Sequence, residues 1–141
     1  MRVSRPLSQA SAARASKVQR QVCNVYDLST ERVGAFDFVF LSSLLLHLQN
    51  PMKALANVCA VTRGQALIVD VFNPSLAGRL ASYEGGVSHN IWWDLSFGAL
   101  EQMLWDAGFA DVKHIGNLPF GYRGGPKTMT QAVFMCSNAA R

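Results

Sequence analysis

The side chain in this sequence best suited to moving a proton is His47, placed just past a strand-like run and just before an Asn50-Pro51 helix start. Imidazole titrates near neutrality, so a histidine at a strand end can act as a general base or position a substrate. Ser42 and Ser43 precede it at the carboxyl end of that run, where ligands of α/β sheets sit. Asp70 and Asn73 flank the end of the next strand-like run and face the same expected pocket, with Asn73 a candidate substrate contact. Trp92 and Trp93 could stack on a planar substrate or nucleobase. Asp27 ends a short apolar run and could accept a hydrogen bond, and Tyr122 and Arg123 in a glycine-rich stretch could touch a substrate. Each residue also fits a plain role. Asp27 suits a turn or helix cap, the serines suit loop backbone groups, and the tryptophans suit packing of a helix on a sheet. Asp37 lies on a strand and reads as structural, capping a neighbouring helix.

The elements that must position these groups follow from periodicity. Residues 22–26 (VCNVY) predict a short strand, and 28–35 a polar turn or short helical loop. Residues 36–41 (FDFVFL) are apolar nearly throughout, as a strand covered on both faces would be. Asn50 and Pro51 open a helix in which Met52, Leu55, Ala56, Val58 and Cys59 recur at helical spacing, closed by Arg63 and Gly64. Residues 65–72 form the next buried strand, and 73–95 show no clear period. Ser96 caps a second helix carrying Phe97, Leu100, Leu104 and Ala107 on one face, with Gly108 ending it. Residues 110–117 alternate as a half-exposed strand, 118–128 read as a loop, and 129–136 as a final strand. The alternation implies parallel strands joined by crossover helices, with the last two strands pairing antiparallel.

Composition narrows the class. The 141 residues are 50% hydrophobic and 16% charged, enough for one core and against bulk disorder. No apolar run reaches the roughly 18 residues of a membrane span. Cys23, Cys59 and Cys136 are dispersed in apolar stretches and read as buried free thiols, with no metal-ligand spacing, which fits a cytoplasmic setting. The net charge of +4 is concentrated early, in Arg2, Arg5, Arg14, Lys17 and Arg20. Residues 1–20 therefore suit a basic helix or tail, a transit peptide, or a weak nucleic-acid footprint.

Several segments, in order, resemble the class I (Rossmann-like) S-adenosylmethionine-dependent methyltransferases. "VYDLS" (25–29) resembles the segment after the third strand, and "FDFVFLSSLLLHL" (36–48) the fourth strand and its loop. "NPMKALANVCAVTRGQALIVD" (50–70) resembles the next helix and fifth strand. "WWDLSFGALEQMLWDAGFADV" (92–112) resembles the following helix and sixth strand, and with the histidine it is similar to the group holding tRNA wobble-uridine methyltransferases. The resemblance implies an α/β, three-layer sheet, mostly parallel with a C-terminal antiparallel pair, and a strand order of 3-2-1-4-5-7-6. It implies that Tyr26, Asp27, Leu28, Ser42 and Ser43 meet S-adenosylmethionine, with Asp27 at the adenine amine. It further implies His47 as a catalytic group, Asn73, Trp92 and Trp93 at a small-molecule or nucleobase acceptor, and methyl transfer as the reaction.

One departure constrains all of this. The family's glycine-rich GxGxG segment and its ribose-binding acid have no counterpart here, so the first two strands are missing from the pattern. Without them, residues 22–26 lack their neighbours, and the apolar run 36–41 becomes an unpaired edge inviting association. A homodimer or an N-terminal partner chain is the expectation, and a non-catalytic interaction subunit is the alternative function.

Overall fold

The computed structural model describes residues 17–121 and 128–138. In chain order it contains a 3-10 turn at Val25–Asp27, helix α1 (Thr30–Val33), strand β1 (Phe36–Ser42) and a 3-10 turn at Leu45–His47. Helix α2 (Pro51–Val61), strand β2 (Thr62–Phe72), and the short strands β3 (Ala81–Tyr83) and β4 (Trp93–Leu95) follow. Helix α3 (Phe97–Asp106) and strands β5 (Asp111–Gly121) and β6 (Thr128–Ser137) complete it.

Both long helices start at side-chain caps. The Asn50 side chain accepts from Lys53 N at 2.9 Å, and Ser96 Oγ accepts from Ala99 N at 3.0 Å. Helix α2 buries Ala54, Leu55, Val58, Cys59 and Val61, and α3 buries Ala99, Leu100 and Leu104. These faces join Leu41, Ala66, Ile68, Ala132, Phe134 and Cys136 of the sheet in one core. Each fully buried Leu, Ile or Phe there contributes about 1.5–3 kcal/mol.

The main sheet has the order β1-β2-β6-β5, with β1 and β2 parallel and β6 antiparallel to both of its neighbours. This reproduces the 4-5-7-6 end of the order that the resemblance implies. The expected mostly parallel layout needs correction, because β6 inserts between β2 and β5 and leaves one parallel pairing among three. The registers place Leu41, Ile68 and Phe134 on one face with the helices, and Phe38, Phe40 and Val69 on the other. The described residues therefore form two layers, not three.

Strand β1 differs from its expected covering on both faces. Phe36, Phe38 and Phe40 are 45, 54 and 61% exposed, and β1 pairs only with β2 among the described residues. The expected strand at 22–26 does not form. Residues 17–24 have no regular structure, and Val25–Asp27 is a 3-10 turn capped by Asn24, whose Oδ1 accepts from Tyr26 N at 3.0 Å. An isolated strand has no ladder partner for its N–H and C=O groups, so a locally capped turn wins. Most of the basic segment 1–20 lies outside the described residues, and 17–20 are not helical.

Three boundaries shift. Helix α2 ends at Val61 and the chain enters β2 at Thr62, so Arg63 and Gly64 lie in a strand, not a cap. Residues 73–95 hold the β3–β4 hairpin, and β5 runs on to Gly121 through the expected loop. Pro119 is tolerated there because β5 is an edge strand. Asp37 caps no helix, and its exposed carboxylate pairs with Arg63 at 2.7 Å. Cys59 and Cys136 are buried as expected, the Cys59 thiol donating to Asn138 Oδ1 at 3.3 Å, whereas Cys23 is only half-buried. Burial pushes the Cys136 thiol up to about 12, with Cys59 and Asp111 adding to it, so it stays protonated.

Candidate functional site

The candidate residues gather where β1 and β2 end. Ser42 closes β1, and Ser43 follows in a left-handed conformation with φ of 51°. The Gln131 side chain, buried in β6, donates to Ser43 Oγ at 2.5 Å. A serine at positive φ holds about 1 kcal/mol of strain, retained here because the hydroxyl has a buried partner. Gln131 was not singled out from sequence, although a polar residue inside the apolar run 129–136 was a usable signal. S43A should destabilise the fold by about 1–2 kcal/mol through the orphaned Gln131 amide, and S43G by about 1 kcal/mol less than S43A. Urea melts of both variants check this, and equal losses would exclude strain at Ser43.

Asp70 is 1% exposed and does not line an open pocket as expected. Its Oδ2 accepts from Leu44 N at 3.0 Å and Leu45 N at 2.9 Å, and its Oδ1 from Val71 N at 2.9 Å. The carboxylate thus caps the 3-10 turn that carries His47. Burial raises its pKa above the ordinary carboxylate range, while the N–H groups of Leu45, Val71 and Leu44 and the His47 charge oppose that shift.

His47 sits half-buried at the end of this turn, its Nδ1 2.5 Å from Asn90 O. Trp92 N donates to Leu46 O at 2.8 Å and Trp93 Nε1 to Gln49 O at 3.1 Å. The hairpin and the His47 turn are therefore one hydrogen-bonded unit. Tyr83 packs on both tryptophans, with ring centroids 6.2 Å from Trp92 and 5.2 Å from Trp93. Tyr83 and Asn90 carried no sequence signal, because three-residue strands are too short to show a period. The Asn73 amide donates to Asp94 Oδ2 at 2.6 Å, which ties the end of β2 to β4.

Tyr26, Asp27 and Leu28 lie against α2. The Asn57 amide donates to the Val25 and Tyr26 carbonyls at 2.9 Å each, and Asn50 N donates to the Tyr26 hydroxyl at 3.0 Å. Asn50 caps the helix end next to the His47 turn, so Tyr26 shares that end of the molecule. Asp27 is exposed and faces Arg32 at 3.6 Å, and Leu28 packs on the core. A cavity of about 410 Å³ lies at the other end, lined by Thr30, Cys59, Arg63 and Asn138 among others, and holds none of the expected site residues. Tyr122 and Arg123 lie outside the described residues. Among the described residues no cluster suits a metal ion, and no helix is long and apolar enough to cross a membrane.

This sheet order, with polar groups at the ends of β1 and β2, is that of the Rossmann-like methyltransferase fold. Residues 3–69 match the family model described as "Methyltransferase domain". The N-terminal domain of EvdMO1, solved with SAH and D-fucose, superposes with a TM-score of 0.71 at 17% identity, covering 96% of this chain and 61% of that one. The Burkholderia thailandensis 1,6-didemethyltoxoflavin-N1-methyltransferase, solved with its acceptor and S-adenosylhomocysteine, gives 0.65 at 16% identity, covering 97% and 58%. The Synechocystis magnesium protoporphyrin IX methyltransferase with bound SAM gives 0.57 at 11% identity, covering 94% and 52%. The chain thus spans about 60% of the length of the first of these structures. No curated protein matches its sequence.

Proposed function

We propose that this chain takes part in methyl transfer from S-adenosylmethionine to a small-molecule acceptor. The observation that carries the reading is the convergence of Ser42, Ser43, Tyr26 and the His47 turn at one end of a methyltransferase-type sheet. The residues present fit part of the cofactor. The exposed Asp27 carboxylate can accept from an adenine amine, and the Ser42 and Ser43 hydroxyls can meet the methionine end. A ribose-binding acid and a glycine-rich cradle have no counterpart in the 141 residues, so that half of the pocket comes from another segment or chain. When bound, the cofactor supplies an electrophilic methyl group. The chain's residues align the acceptor and keep water from it, which accounts for much of the acceleration in such transfers.

Two of the matched structures are named for methylation of a small molecule, and the wobble-uridine likeness of residues 92–112 gains no support from them. A cytoplasmic setting fits the free thiols.

A second reading has its own observation. The bare Phe36, Phe38 and Phe40 stripe, beside a strand edge that is unpaired among the described residues, suits an interaction subunit, as a homodimer or with an N-terminal partner chain. Calorimetric titration with S-adenosylmethionine and S-adenosylhomocysteine separates the two. The enzyme reading expects saturable one-site binding. Absence of heat, alone and with a candidate partner present, would leave only the interaction subunit.

A further inference from the structure

We infer that the acceptor is a planar aromatic molecule bearing one ionisable hydroxyl, stacked on the Tyr83–Trp92–Trp93 wall with His47 Nε2 taking its proton. This rests on the methyl-transfer reading above and names the acceptor class for that same site.

The first argument is the state of His47. A carbonyl oxygen only accepts, so the 2.5 Å contact between Nδ1 and Asn90 O puts the ring proton on Nδ1. With Nδ1 so engaged, Nε2 is the nitrogen that carries the lone pair whenever the ring is neutral, the arrangement a general base requires. The contact is built rather than incidental. Asn90 holds a left-handed φ of 59°, and its N–H donates to Gly86 O at 2.8 Å. Gly86 in turn lies so close to the Trp92 indole that a Cβ would sit 2.4 Å from three ring atoms.

The second argument is the wall. Tyr83 is 64% exposed and sits edge-on to Trp93 at 69°, on the hairpin that carries Asn90. An exposed aromatic packed on two tryptophans, on a unit fixed to a histidine, offers ring surface on which a planar molecule can stack.

The third argument concerns what the wall lacks. A sugar needs several hydrogen-bonding side chains besides a ring face. Here the neighbouring polar groups already serve each other. Asn73 donates to Asp94, and Ser82 donates to Glu84 at 2.8 Å. Among the described residues the hairpin offers ring surface, with His47 as the proton acceptor beside it, which matches a flat phenol or hydroxylated heteroaromatic. In the reaction the acceptor's O–H proton passes to Nε2, and the oxygen lone pair forms the new bond to the methyl carbon. The C–S bond of S-adenosylmethionine breaks, and its electron pair stays on sulfur.

7-Hydroxycoumarin, 7-methoxycoumarin and D-fucose are the probes, read by tryptophan fluorescence and coumarin absorbance with and without S-adenosylhomocysteine. Both coumarins should bind and D-fucose should not. Y83A should weaken both coumarins by at least about fivefold, the lower end of one stacked ring. Only the hydroxycoumarin should show the absorbance of its anion, and H47Q should abolish that signature with coumarin affinity retained. Long-range ¹H–¹⁵N spectra of the imidazole should show the proton on Nδ1. The proton on Nε2, D-fucose binding in place of the coumarins, or coumarin binding indifferent to Y83A would each overturn the proposal. S-adenosylhomocysteine binding without coumarin binding sinks the acceptor class and spares the methyl-transfer reading. Coumarin binding with the anion signature, but no S-adenosylhomocysteine binding, supports the wall and base and counts against that reading.

Discussion

Replacing Asp70 with alanine should destabilise the fold by on the order of 3 kcal/mol, measured as a lower urea midpoint. Three donors, Leu44 N, Leu45 N and Val71 N, lose an acceptor, two of them in a turn where Leu45 is fully buried. Each buried donor left unsatisfied costs about 1–3 kcal/mol. Relief of the desolvated carboxylate offsets part of this. Amide exchange at Leu44 and Leu45 should accelerate in the variant, and the His47 turn should loosen with them. Unchanged exchange there would show that Asp70 does not hold the turn. The pH dependence has a defined sign. Because burial raises the folded-state pKa of Asp70, its stabilising contribution is fully present below the ordinary carboxylate value. That contribution is lost as pH rises through the raised value. D70N cannot titrate, so the stability advantage of the natural chain over D70N should shrink from acid toward neutral pH. An advantage that grows over that range would contradict the assignment.

Gly64→Ala is the other large effect. A Cβ there would lie 2.4 Å from the backbone oxygen of Asp37, between the register pairs Phe36↔Thr62 and Phe38↔Gln65 of β1 and β2. Neither backbone can yield without opening the only pairing that β1 makes among the described residues. The expected loss is about 2–3 kcal/mol, the upper part of the range for overpacking. Protection of the Phe38 to Ser42 amides should fall with it. G121A is the matched control, since a Cβ there meets nothing within 4 Å, and its effect should stay within about 0.5 kcal/mol. Similar melting of the two variants would remove close backbone approach as the reason for glycine at position 64.

The methyltransferase likeness also bears on the bare face of the sheet. Fold likeness at 17% identity establishes architecture, and this chain spans 61% of the first matched structure. The three exposed phenylalanines lie on β1, whose one pairing among the described residues is with β2.

What the sequence determined by itself was local. Asn50-Pro51 and Ser96 announce their helices because capping depends on residues within one turn. Strands β1, β2 and β6 were legible because their apolar runs are continuous. Only the tertiary structure decided the rest. Asp70 became a buried cap through partners 25 and 26 residues away. Gln131 meets Ser43 across 88 residues, and Asn90 meets His47 across 43. Residues 22–26 carry strand-forming side chains yet adopt no strand, because a ladder needs a neighbour that local propensity cannot supply.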